Sequence, residues 1–221
     1  MSLSRTLRTC TVGAFLALTV LTSSVVAPAD AAPAAPSWPA WPVTMPAHVF
    51  APYFQSYQPG DPAALAEASG ARYLTMAFLQ TQTAGSCQVL WNGDPTTPVS
   101  PSVYGASFAK IKALGGAAAA SFGGGEADGD NTDIADSCTD VNAIASAYEN
   151  VVTTYGITRI DLDVEGNSLN NTAGIDRRNK AIHQVESWAA RTGHTVQFVY
   201  TIPTNTYGLD PNGIKIGRAH V

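Results

Sequence analysis

The run Ile160-Asp161-Leu162-Asp163-Val164-Glu165 places an acid at every second position. Side chains on a strand alternate faces, so Asp161, Asp163 and Glu165 share one row, ~7 Å apart, and the aliphatic residues share the other. Like charges this close cannot all ionise easily. At least one acid is expected to hold its proton toward neutral pH, which is what a general acid requires. A solvent-facing antiparallel strand and a divalent-metal site also use alternating acids. No histidine or further acid stands at ligand spacing, and His48, His183, His194 and His220 form no ligand pattern, so no metal or other cofactor is expected.

The elements that would position this row alternate in kind. His48–Phe54 is a short apolar, strand-like run. Asp61-Pro62 supplies a cap and a first-turn proline, with Leu65 and Ala68 on one face of the helix and Gly70 as its stop. Residues 73–80 form the next strand, 102–114 a helix carrying Phe108, Ile111 and Leu114, and 117–122 a third strand. Asp140–Tyr155 is the clearest helix, its apolar stripe running through Val141, Ile144, Tyr148 and Val151 or Val152. Residues 159–165 are a strand, 175–191 an amphipathic helix and 195–202 a fifth strand. Five strands alternating with four helices predict parallel βα units, as a doubly wound sheet or a (β/α)8 barrel. Three acids buried in a covered parallel strand are costly unless they serve chemistry. The barrel accommodates them, with aliphatic residues facing the helices and acids facing inward at the carboxyl end.

Composition narrows the function. The 221 residues are 45% hydrophobic and only 13% charged, with twelve Lys and Arg against seventeen Asp and Glu. A core is affordable, and nothing is arranged to neutralise phosphates, so no nucleic-acid partner is expected. Residues 1–31 read as a secretory signal: Arg5 and Arg8, then an apolar stretch too short to span a membrane, then small residues for cleavage near Ala31. The mature chain is therefore expected outside the cell, with no membrane anchor and as a monomer. Cleavage removes Cys10 and leaves Cys87 and Cys138, a pair suited to a disulfide worth ~4 kcal/mol. Residues 32–46 are an Ala/Pro linker carrying Trp38 and Trp41. Gly123-Gly124-Gly125 lacks the Lys-Ser/Thr of a phosphate loop, and Asp128, Asp130 and Asp133 lack the glutamate of a calcium loop. That stretch reads as a polar loop at the barrel mouth. Residues 216–221 match the translation of a sequencing-library adapter, so native sequence is expected to stop at or before Lys215.

At the acid row the sequence resembles glycoside hydrolase family 18, the chitinases, whose motif is Asp-Gly-x-Asp-x-Asp-x-Glu. Asp161, Asp163 and Glu165 match its last three acids, while Thr158 and Arg159 replace the first two residues. Ser121-Phe122-Gly123-Gly124 matches a second family signature, Ser-x-Gly-Gly, and Tyr53 and Phe78 stand where the family lines its sugar pocket with aromatics. The resemblance spans residues 48–213. It implies a barrel occupying residues 47–215 that cleaves β-1,4-linked N-acetylglucosamine with retention, assisted by the substrate's own acetamido group. Glu165 would be the general acid, Asp163 would orient the acetamido group, and Asp161, supported by Ser121, would share a proton or hydrogen bond with Asp163. Chitin oligosaccharides are the implied partner. An endo-β-N-acetylglucosaminidase acting on N-glycans and a lectin-like chitin-binding barrel are the alternatives. A complete barrel of this kind needs roughly 250 residues. The family's strand-six tyrosine motif and strand-eight tryptophan have no counterpart, so an incomplete barrel, inactive as written, is expected.

Overall fold

The computed structural model describes residues 44–216. The signal, Trp38, Trp41, residues 32–43 of the linker and residues 217–221 lie outside the described residues.

Local signals place the helices. Asp61 accepts from the Ala63 N–H ahead of α1 (Pro62–Ser69), Asp140 accepts from the Asn142 and Ala143 N–H groups ahead of α5 (Val141–Tyr155), and Asn171 accepts from the Gly174 N–H at the start of α6 (Thr172–Thr192). Each such cap satisfies backbone donors that the first turn leaves free. Between these helices run β1 (Tyr53–Gln55), β2 (Tyr73–Thr81), β3 (Val89–Trp91), α2 (Ala106–Ala113), β4 (Ala117–Gly123), the short helices α3 (Gly125–Asp130) and α4 (Ile134–Ser137), and β5 (Arg159–Asp163). After α6 come β6 (Gln197–Thr201) and a small hairpin of β7 (Thr204–Asn205) and β8 (Gly208–Leu209).

Strand order separates the two architectures. The sheet runs β1-β2-β4-β5-β6, with each pair parallel and each long strand beside its predecessor in the chain. A doubly wound sheet would reverse its order at a switch point; this one never does. It also curls. The Tyr53 hydroxyl donates to Asp161 at 2.9 Å, although β2 and β4 stand between β1 and β5. In a flat sheet those strands would be ~14 Å apart. The fold is a partial (β/α)8 barrel, and its five parallel strands and four longer helices match the sequence expectation.

Ile160, Leu162 and Val164 are fully buried on the outer face, in one core with Ile144, Tyr148 and Val151 of α5 and Ile182 and Val185 of α6. Each such side chain contributes ~1.5–3 kcal/mol. At the opposite end of β5, buried Arg159 donates to the Met45 and Pro46 carbonyls at 3.0 and 2.7 Å and to Gln197 at 2.7 Å. The side chain that departs from the family motif thus ties the entering chain to the base of the sheet.

Several expectations need correction. Only residues 53–55 of the His48–Phe54 run and its continuation pair with β2; Pro52 has no N–H to offer, although its carbonyl accepts from Thr75 at 3.0 Å. α1 buries Ala63 and Ala66, not Leu65, which is 52% exposed, because a small-residue face lets the helix backbone approach its neighbours. The helix expected from residue 102 begins at Ala106, since Val103 and Tyr104 have non-helical backbone angles. β5 stops at Asp163, so Glu165 lies just past the strand. The stretch read as a polar loop folds into α3 and α4 and buries Asp128 and Asp133. Finally, β3 extends the sheet as an antiparallel strand on residues 79–81 of β2. Its Trp91 is fully buried and donates to the Tyr155 hydroxyl at 2.9 Å.

A disulfide joins Cys87 to Cys138, with Cα atoms 4.7 Å apart and a sequence separation of 51. It links the segment after β2 to the end of α4. Beside it the Ser137 hydroxyl donates to the Ser86 carbonyl at 2.7 Å. Peptide mapping should find neither thiol alkylated before reduction, and reduction should lower the unfolding free energy by about 4 kcal/mol.

Candidate active site

Three hydroxyls from three strands converge on Asp161. Tyr53 of β1 and Ser121 of β4 donate to one carboxylate oxygen at 2.9 and 2.6 Å, and Thr201 of β6 donates to the other at 2.9 Å. Asp161 is 4% exposed, so these bonds replace the water it has given up. Proximity to this buried carboxylate, after burial itself, raises the Tyr53 hydroxyl above its ordinary pKa and keeps it a donor.

Asp163 is different. It is equally buried, yet among the described residues no side-chain hydrogen bond reaches its carboxyl group. Burial, then the charges of Glu165 and Asp161, push its pKa up to about 7. A carboxyl group raised in this way holds its proton toward neutral pH. Glu165 is half-buried at the rim, and its backbone N–H donates to the Asp128 carboxylate.

The glycines make this arrangement possible. A Cβ on Gly123 would lie 2.3 Å from the Asp163 carbonyl, and φ there is +93°, a conformation that side chains resist. Gly124 donates its N–H to that same carbonyl at 2.9 Å. A Cβ on Gly124 would meet the Phe78 ring at 3.1 Å, and one on Gly125 would lie 3.7 Å from both Glu165 carboxylate oxygens. The Gly-rich turn is therefore a floor on which an aromatic ring and a carboxylate rest. Phe78 follows a cis peptide at Ala77 and stands 5.9 Å from the Tyr53 ring.

Tyr53, Gln55, Phe78, Asp163, Glu165 and Thr201 line one open cleft of about 370 Å³. Ser121 and Asp161 lie beneath it, while Cys87 lines a separate recess. Such a cleft offers aromatic faces for a sugar ring, a fixed acceptor in Asp161, a proton carrier in Asp163 and a rim carboxyl in Glu165 able to reach a bound oxygen. Sequence reasoning missed Gln55, Thr201 and Asp128. The polar Thr201 at the carboxyl end of a predicted strand was the available signal.

No protein-family profile matches the chain. A probable bifunctional chitinase/lysozyme of Escherichia coli (strain K12) is 32% identical over 176 residues, which is 77% of this chain and 19% of that protein. Endochitinase 11 of Metarhizium anisopliae is 31% identical over 176 residues, 77% of this chain and 31% of its own length. The chain is similar in sequence to these two proteins named chitinase. Its fold agrees: active domain 2 of the Pyrococcus furiosus chitinase superposes with a TM-score of 0.64 at 23% identity, over 79% of this chain and 53% of that one. The same domain complexed with chito-oligosaccharides gives 0.66 at 22% identity, over 82% and 55%. The chain thus spans less than a third of either curated relative and about half of either solved domain.

Two measurements test the geometry. The Asp163 carboxyl carbon should titrate near pH 7 by NMR and shift to lower pH in Asp161→Asn, which removes a neighbouring charge. Gly123→Ala should destabilise the fold by about 2–3 kcal/mol in urea unfolding, since both the backbone angle and the Asp163 carbonyl oppose a Cβ.

Proposed function

We propose that this chain is the catalytic part of an exported glycoside hydrolase that cleaves β-1,4-linked N-acetylglucosamine with retained configuration. The reading rests above all on Asp163 and Glu165 meeting at one aromatic-lined cleft over an Asp161 held by three hydroxyls. The similarity to proteins named chitinase supports it. So does the chito-oligosaccharide bound by a solved domain of the same fold. A disulfide suits an oxidising compartment and the secretory signal read in residues 1–31.

In this mechanism Glu165 gives its proton to the glycosidic oxygen as the bond to the leaving sugar breaks. The substrate's acetamido carbonyl attacks the anomeric carbon, so no enzyme nucleophile is needed. Asp163 orients the acetamido group. As positive charge develops on the oxazolinium-like ring, the Asp163 proton moves toward Asp161, and the carboxylate left behind stabilises that charge. Water then opens the ring, returning its proton to Glu165 and the configuration to that of the substrate.

The test is cleavage of chito-oligosaccharides and of a high-mannose glycopeptide by the full-length gene product. Chito-oligosaccharide products are expected, and Glu165→Gln should lower kcat by at least about 100-fold while leaving oligosaccharide binding intact. Undiminished cleavage by Glu165→Gln would remove the assigned acid. Cleavage of the glycopeptide alone would shift the substrate to N-glycans, and binding without cleavage would indicate a lectin.

A further inference from the structure

Behind the cleft, α3 and α4 carry three acids against the turn that follows β5. Asp128 accepts the backbone N–H of Glu165 on one oxygen, and the Ser168 hydroxyl lies 2.8 Å from the other. Ser168 also hydrogen-bonds to Asp136, whose second oxygen accepts from the Asn171 side chain at 2.8 Å. Ser168 and Asp128 are fully buried. Gly174 leaves room for Asp136, because a Cβ there would lie 2.1 Å from its carboxylate.

One hydroxyl has one proton to give. Two carboxylates cannot both accept it, so one of them must itself carry a proton and donate to the Ser168 oxygen. The remaining oxygens of Asp128 and Asp136 face N–H donors, which places that extra proton on the line through Ser168. We propose that Asp128 is a positioning residue for Glu165, acting through an Asp128–Ser168–Asp136 bridge that holds one proton and fixes the turn on which Glu165 stands. The assignment rests on the hydrolase reading for its catalytic consequence, though not for the bridge itself.

The surroundings favour the protonated bridge. Burial first, then the Asp133 charge, raises Asp128 to about 7, and burial followed by Asp133 also raises Asp136. Asp133 and Asp136 face Asp128 from α4 and its cap, and Arg178 faces it from α6. Arg178 is engaged by Asp133 at 2.8 Å, with Tyr148 of α5 and Tyr200 of β6 on the far side of that pair. Above the raised pKa the bridge loses its proton, and a buried anion and a half-buried one are left on one hydroxyl. The turn then loosens, and Glu165 loses its alignment.

The full-length gene product carries the test. Asp128→Ala should lower kcat about 100-fold with KM unchanged, the effect of misplacing a catalytic group without touching the sugar contacts. Asp128→Asn should recover most of kcat, because its amide oxygen accepts the Glu165 N–H and its NH2 donates to Ser168 as the protonated acid does. By NMR, the Glu165 amide proton should shift with an inflection near pH 7 in the wild type and lose it in Asp128→Asn, while the Asp163 carboxyl still titrates. The proposal is overturned by full kcat in Asp128→Ala, by Asp128→Asn falling as far as Asp128→Ala, or by a Glu165 amide that ignores pH. If Asp128→Ala does not fold, the Asn variant and the amide titration decide. A wild type that cleaves no chito-oligosaccharide would remove the hydrolase reading, and the amide titration would still decide the bridge.

Discussion

A carboxylate can sit on the inner face of a parallel sheet only if donors reach it from across that face. Asp161 meets the condition with hydroxyls from β1, β4 and β6, residues as far as 108 positions away in sequence. Two of those strands flank β5; the third, β1, arrives only because the sheet curls. The curvature that defines the barrel and the anchoring of its central acid are therefore one requirement. These three hydroxyls go to Asp161, and among the described residues no side chain donates to Asp163. The contrast between the two acids, one holding three hydroxyls and one with no side-chain hydrogen bond among the described residues, follows from a single allocation of hydrogen bonds.

Around this centre the glycines solve a steric problem. β4 and β5 must approach closely enough at their carboxyl ends for Gly124 to donate to the Asp163 carbonyl, and Phe78 and Glu165 must lie over the same turn. A side chain at Gly123 or Gly124 would take the space that these contacts need. The motif Ser121-Phe122-Gly123-Gly124 thus combines two functions two residues apart at the end of one strand: a hydroxyl for the buried acid, and bare backbone for the cleft floor.

Much of this was legible in the sequence because the signals were local. Asp61 before Pro62, Asp140 before a periodic apolar stripe, and the alternation through residues 160–165 each concern neighbours within a few residues, and each matches the element found. What escaped was set by distant partners. Asp128 and Asp133 look like solvated loop acids until α6 supplies Arg178, 45 residues from Asp133 in sequence. Trp91 lies in a stretch that the sequence assigns to no element, and its place in the core is set by Tyr155, which accepts its N–H. Leu65 satisfied helical spacing, but spacing names a face without saying what will cover it, and the alanine face won.

The alternation along β5 has a consequence for how this chain tolerates change. Even-numbered positions 160, 162 and 164 are sealed among the helices, whereas 161 faces the interior beneath the cleft, 163 lines it and 165 stands at its rim. Two kinds of constraint are therefore interleaved one residue apart. Replacements at the even positions would be felt as misfolding wherever the protein is made. Replacements at the odd positions would leave a well-formed protein with altered chemistry. Variation along six consecutive residues would sort by parity, and a descendant that abandoned its reaction while keeping its shape would change only every other letter.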